Sequence, residues 1–368
     1  MHILDTIKMV VGNSLEKRYS MYIEENEWNN LKNVNRKYDR LNNQCEENSS
    51  QKTALGIIKR MYIPNHKEEL HGFLEALSKL EPQANIIEVE VRDHVVHAVN
   101  TFLLGVYIIE NIGLNDEQKS KLAFQWKICG PTHDIGYTYE LLLKAMNKQV
   151  VMFTELTKGI SIPKLYLPEI MPRNVSKLSH GFDSQMLIQQ RLADWGINFN
   201  IDEYIKELRD NNTPDHGIIS AFLEMKYLDA LYHKNNVNRF CSSSEQDRVF
   251  WDYYDFNMDI VSACTAVLLH NIKNEHITNK VCEQPLLLDF NKATLAYILY
   301  LCDNFQEWDR YGVGKEIIDG DEFGITVTGE RIVLEAHQCA ERIEKAIKSR
   351  LRGVSISLNG NSLYGDGE

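Results

Sequence analysis

Apolar residues recur at spacings of three and four along most of this 368-residue chain, and no other feature limits its fold as strongly. "LHGFLEALSKL" (70–80) and "IDEYIKELRD" (201–210) both show the pattern, which gives a helix one buried stripe. Strand-like alternation is rare until the C-terminal part. There "DEFGITVTGERIVLEA" (321–336) sets β-branched against polar residues around a Thr-Gly-Glu turn, predicting a hairpin. A charged helix, "AHQCAERIEKAIKSRLR", and a short strand, "GVSISLNG", are expected to follow. The sequence therefore predicts a mainly α protein in three parts: an N-terminal helical region (1–85), a central helical domain (86–310) and a small α+β appendage (311–368). The polar stretch "NNQCEENSSQ" reads as a loop, and the final "NSLYGDGE" as a disordered tail.

Composition narrows the function classes. A net charge of -12 argues against nonspecific binding to nucleic acid or to anionic membranes. Apolar runs such as "FLLGVYII" (102–109) are too short to cross a bilayer. The N-terminus lacks a small-residue cleavage site, so no signal peptide is expected. Seven scattered cysteines without a CxxC pair read as reduced thiols in a cytoplasmic protein.

The chemistry-bearing residues are histidines and aspartates. Of twelve histidines, His2, His66, His71, His233, His276 and His337 sit in polar surroundings and read as surface residues. The others lie differently. His94 and His97 open the apolar run "RDHVVHAVNTFLLGVYI"; His133 and Asp134 stand in "GPTHDIGYTYELLL"; His180 and His216 begin "HGFDSQMLI" and "HGIISAFLE"; His270 ends "SACTAVLLHNI". One imidazole at the end of an apolar helix is commonly a hydrogen-bonded core residue. Several, together with carboxylates, suggest a shared cation, because buried polar groups without partners are costly.

The run from His97, through the adjacent His133 and Asp134, to Asp303 in "LAYILYLCDNFQEWDR" resembles the HD superfamily of metal-dependent phosphohydrolases. "DHGIISAFLE" and "AVLLHNI" resemble the two additional histidine segments of its two-metal branches. The resemblance spans roughly residues 86 to 310 and implies an HD-domain helical core. It implies that His97, His133, Asp134 and Asp303 hold one metal, and that Asp134, His216 and His270 hold a second. His94 is the rival of His97, one turn earlier, and His180 is the rival of His216. Ala98 and the following "FLLG" favour His97, and "DHGIISA" favours His216. Many two-metal members carry a lysine three residues after the aspartate, where this chain has Tyr137. Pro131, just before the pair, is expected to kink or restart the helix.

This ligand set of imidazole and carboxylate suits two divalent ions drawn from manganese, iron, zinc, cobalt, nickel or magnesium. With Asp134 bridging and His133 beside it as the catalytic pair, the resemblance implies two ions about 3.5–4 Å apart activating a hydroxide for in-line attack on phosphorus. The expected substrate is a phosphate ester or anhydride of a nucleotide or short oligonucleotide, and the acidic charge weighs against long duplexes. Arg92, His94 and Arg310 are the leading substrate-binding candidates, ahead of Lys144, Arg173 and Lys177. Glu307, one turn past Asp303, would orient His97 or a water, or pair with Arg310. The stretch from Val151 to Asn174 is expected to shape the pocket or to form a peripheral subdomain. The alternatives are a metal- or nucleotide-binding sensor without turnover, and an all-α interaction module in which the histidines are accidental.

Overall fold

The computed structural model describes residues 1–32, 49–62, 68–87, 93–156, 174–211, 213–238, 253–310 and 317–359, and over these the chain is mainly helical. They fall into two compact units, one drawn from residues 1–85, 89–132 and 287–368, the other from 86–88 and 133–286.

The first unit begins with α1 (Ile3–Tyr19), α2 (Glu25–Lys32), α3 (Ser49–Tyr62), α4 (Glu68–Ile87), α5 (His94–Asn111) and α6 (Asp116–Thr132). α5 is its axis. Every residue from His94 to Ile109 is buried, the polar His94, His97, Asn100 and Thr101 included, and α1, α3 and α6 pack around it. Asp93 starts this helix by accepting a hydrogen bond from the Val96 amide at 3.0 Å. α5 and α6 meet through Trp126, whose ring N–H donates to the Phe102 carbonyl at 2.9 Å. The indole lies against Gly105, where an added Cβ would come within 2.0 Å of the ring. Pro131 is accommodated inside the last turn of α6, which runs through it to Thr132 and does not restart there as expected.

The second unit holds α7 (Tyr137–Leu156), α8 (Ser184–Asp194), α9 (Ile201–Asp210), α10 (His216–Asn238), the short α11 (Tyr253–Asp255) and α12 (Ser262–His270). α10 and α12 pack against each other, α7 lies on α10, and α8 lies on α12. A π-helical turn, Phe256–Val261, leads into α12. Its widened backbone is held by Arg191 of α8, which donates to the Asn257 carbonyl at 2.9 Å.

The chain then returns to the first unit with β1 (Leu288–Asp289), α13 (Thr294–Phe305), β2 (Phe323–Thr328), β3 (Arg331–Ala336), α14 (Ala340–Arg350), β4 (Leu351–Arg352) and β5 (Ser355–Asn359). α13 packs on α5 and α6. β2 and β3 form the expected hairpin, from the Phe323–Ala336 pair to the Thr328–Arg331 pair at the turn. β5 adds to β3 in parallel, giving the order β2-β3-β5, and β1 pairs with β4 in parallel. Ile325, Val327, Ile332 and Leu334 make the buried face of the sheet.

Of the expected loop at 42–51, residues 49–51 open α3 and the rest lies outside the described residues, as does the C-terminal tail. The stretch 151–174 continues α7 to Leu156, and residues 157–173 also lie outside the description. Among the described residues, no helix is long and apolar enough to cross a membrane.

Gly105→Ala is expected to destabilise the protein by about 1–3 kcal/mol, because a methyl group must displace the indole in a filled core. A thermal melt that superimposes on wild type would show that Trp126 can retreat without loss.

Candidate metal centre

The second unit assembles its site from two helix ends and one turn. α6 stops at Thr132, residues 133–136 form the turn, and α7 starts at Tyr137, whose amide bonds the Asp134 carbonyl at 2.9 Å. The turn lies close against α10. The Gly136 amide donates to Ser220 Oγ at 2.8 Å, and a Cβ on Gly136 would stand 2.6 Å from the His216 carbonyl and from the Ser220 amide. Only glycine permits that approach. α10 is capped by the buried Asp215, which accepts from the Gly217 amide at 2.9 Å and from the Ile218 amide at 3.3 Å. Tyr204 and Asn271 donate to the same carboxylate at 2.7 Å and 3.1 Å. These bonds fix the first turn of α10 and so the place of His216. His270 ends α12, with its Nδ1–H donating to the Val267 carbonyl one turn back.

Three imidazoles thereby converge on the buried Asp134 carboxylate. His216 Nε2 lies 3.2 Å and His270 Nε2 3.4 Å from its Oδ1, and His133 Nε2 lies 3.4 Å from its Oδ2. The His270 ring stands 5.1 Å from that of His133 and 5.2 Å from that of His216, centroid to centroid. Ligand atoms of Asp134, His216 and His270 all lie within 4.8 Å of one another. The fit to a divalent ion can be read from His270. Its Nδ1–H is engaged, so Nε2 carries a lone pair, and that buried nitrogen has no hydrogen-bond partner. An inward lone pair beside a carboxylate oxygen is what a cation would satisfy.

Behind His216 stands Glu140, also buried. One oxygen of its carboxylate, Oε2, accepts from the His216 amide at 2.9 Å and from the ring Nδ1 at 2.8 Å. The other, Oε1, faces Lys144 Nζ at 2.8 Å and Lys273 Nζ at 3.7 Å. Burial alone would lower the His216 pKa. The charge of Glu140 and the bonds to Asp134 and Glu140 overcome it and raise the imidazole to about 10. Burial opposes ionisation of Asp134 too, yet His133 and His216 beside it hold its carboxyl well below the usual range. Glu140 is likewise lowered against its burial, by His216 and the two lysines. Tyr137 packs edge-on to the His216 ring, 5.4 Å between centroids and 83° between planes.

The first unit brings together the other expected ligands. His97 of α5 places Nε2 2.9 Å from Asp303 Oδ1 of α13. Its Nδ1–H is taken by the Gln306 side-chain carbonyl, and the Gln306 amide donates in turn to the Trp308 carbonyl at 2.7 Å. His94, the rival, is buried on the first turn of α5, and the contact with Asp303 belongs to His97. The contact with Asp134 belongs to His216; the side chain of its rival His180 lies outside the described residues.

The substrate-binding candidates are placed as follows. Arg310 pairs with Glu307 at 3.7 Å, and Glu307 also meets Arg342 at 2.9 Å, so this glutamate takes the ion-pair role of the two expected for it. Lys144 pairs with Glu140, and Lys177 with Asp183 at 2.9 Å. Arg92 and Arg173 lie outside the described residues. The surface reading fails for His276, which is buried, and for His2, whose side chain is only 11% exposed. His2 Nδ1 accepts from the Leu4 amide at 3.1 Å and its Nε2–H donates to Asp309 at 2.9 Å, so the ring caps α1 with both nitrogens engaged. Glu140 and Gln306 were not legible as functional residues. The available signal was an acidic residue before the apolar "LLL" in one case and a glutamine three residues past an expected ligand in the other. Comparison with family models, with characterised proteins and with solved structures finds no match to this chain.

A group whose pKa is raised on folding stabilises the fold fully below its unfolded pKa and loses that effect as pH rises through the folded one. For His216 the window runs from the ordinary 6.5 to about 10. The chelator-treated protein is therefore expected to lose thermal stability between pH 7 and pH 10, with a shallower slope in His216→Gln. Equal slopes in the two proteins would remove His216 as the cause.

Proposed function

We propose that the chain is a metal-dependent phosphohydrolase of HD type, acting on the ester or anhydride bond of a nucleotide or short oligonucleotide. The observation that carries this reading is the convergence of His133, His216 and His270 on the Asp134 carboxylate, with the lone pair of His270 Nε2 turned inward and unanswered. Asp134, His216 and His270 would hold one divalent ion. His97 and Asp303 enter the proposed ligand set through the order of residues along the chain, with His133 and Asp134, as the HD resemblance implies.

Bound divalent cations supply Lewis acidity, lowering the pKa of water and offsetting charge on phosphoryl oxygens. The chain's own residues keep the ligands fixed. The Val267 carbonyl holds the His270 tautomer, Gly136 lets the turn carrying Asp134 lie against α10, and Asp215 fixes where His216 leaves that helix. No thiolate is among the proposed ligands, which favours manganese, iron, zinc, cobalt, nickel or magnesium over a soft-metal centre. The net charge of -12 favours a small nucleotide or a short single strand over duplex nucleic acid.

The reading is tested with manganese and a panel of mono-, cyclic, dinucleotide and short single-stranded substrates, comparing wild type with Asp134→Ala. Wild type is expected to turn over at least one class, and the variant to lose about a hundredfold or more of that rate, the scale of loss seen when one fixed electrostatic group is removed. Identical behaviour of the two proteins on every substrate would overturn the hydrolase reading and leave a binding or sensing role.

A further inference from the structure

We propose that Glu140 is the positioning residue of the metal centre, setting both the tautomer and the direction of the His216 ring. The inference rests on the metal-binding part of the function proposed above and is independent of hydrolysis.

Its basis is the division of labour between the two oxygens of one buried carboxylate. Oε2 accepts from the backbone amide and from the ring nitrogen of the same residue, His216, at 2.9 Å and 2.8 Å. A single acceptor holding both points leaves the side chain one orientation about its first two torsions. Because Nδ1 must carry the proton in that bond, the neutral ring has its lone pair on Nε2, the atom 3.2 Å from Asp134 Oδ1. Tyr137, edge-on at 5.4 Å, occupies space beside the ring. Oε1 is free of this task and meets the ammonium groups of Lys144 and Lys273.

A buried glutamate is expensive unless cations and donors answer it. An ion pair with Lys144 four residues along α7 needs no burial, since such pairs form readily on a helix surface. What burial adds is the reach to His216. The lysines then keep the carboxylate charged, and a charged acceptor makes the imidazole a stronger ligand than a neutral one does. His97 supplies the contrast, since its Nδ1–H is taken by the uncharged Gln306 amide.

The test compares wild type, Glu140→Gln and Glu140→Asp, all first stripped with chelator and checked by circular dichroism and thermal melting. Manganese binding is then titrated calorimetrically, and nitrogen hyperfine coupling to the bound ion is recorded by pulsed electron paramagnetic resonance. Glu140→Gln is expected to bind manganese about 10–100-fold more weakly, the usual consequence of losing a residue that orients a ligand. Its histidine coupling should also change. Glu140→Asp keeps the charge but falls short of the two-point contact, and should lie between the other two. If Glu140→Gln does not fold, the loss must appear in Glu140→Asp. A folded variant with wild-type affinity and unchanged coupling would overturn the assignment. Wild type that takes up no manganese would sink this proposal and the function together. Uptake that depends on Glu140, with no hydrolysis of any substrate, would retain the proposal and reject the hydrolase.

Discussion

A carboxylate removed from water has to be answered by positive charge or by donors, and Asp134 sets that requirement for the second unit. Its side chain is almost fully buried, and the groups that face it are three imidazoles from three parts of the chain, so that a cation between them would answer carboxylate and lone pairs together. Each is delivered by the end of an element rather than by its middle. The start of α10 brings His216, the end of α12 brings His270, and the turn after α6 brings His133 with Asp134 itself. Helix ends suit the purpose because their backbone groups are unpaired and free to bond side chains. Asp215 uses the free amides of α10, and the Gly136 amide reaches across to Ser220.

The supporting contacts of the two best-defined imidazole–carboxylate pairs differ in kind. His216 leans on a charged carboxylate that two lysines balance, whereas His97 leans on an amide whose orientation is fixed by a bond to the Trp308 carbonyl. Both arrangements place the proton on Nδ1 and leave Nε2 toward an aspartate. They differ in how much electron density the ring can offer, which is a property of the neighbours and not of the histidine.

The sequence carried the helical class, the C-terminal hairpin and the residues that converge within each unit, because these depend on periodicity and on position at the ends of apolar runs. It carried the supporting residues poorly. Glu307 was the natural choice to face the same side as Asp303, by the four-residue repeat of a helix. α13, however, ends at Phe305, and Gln306 leaves the helix with ψ of 88°. The repeat no longer applies past that point, and Gln306 turns to His97 while Glu307 turns to arginines. Glu140 escaped notice for a related reason. Whether a glutamate faces solvent or bends inward is decided by its rotamer and by the arrival of a distant helix, neither of which the local sequence encodes. Arg310, Lys144 and Lys177 each have a carboxylate partner that local context did not disclose.

The two units also differ in how the chain supplies them. The second is almost one continuous stretch, 133–286, whereas the first is gathered from segments on both sides of it. During synthesis the partners of α10 and α12 are present as soon as residue 286 has emerged. α5 must wait for α13, and β3 must wait for β5, the last described strand. Until then α5, buried along nearly its whole length, has no complete set of neighbours. The long interval between its synthesis and its burial makes that helix the segment of the nascent chain most in need of protection from wrong partners.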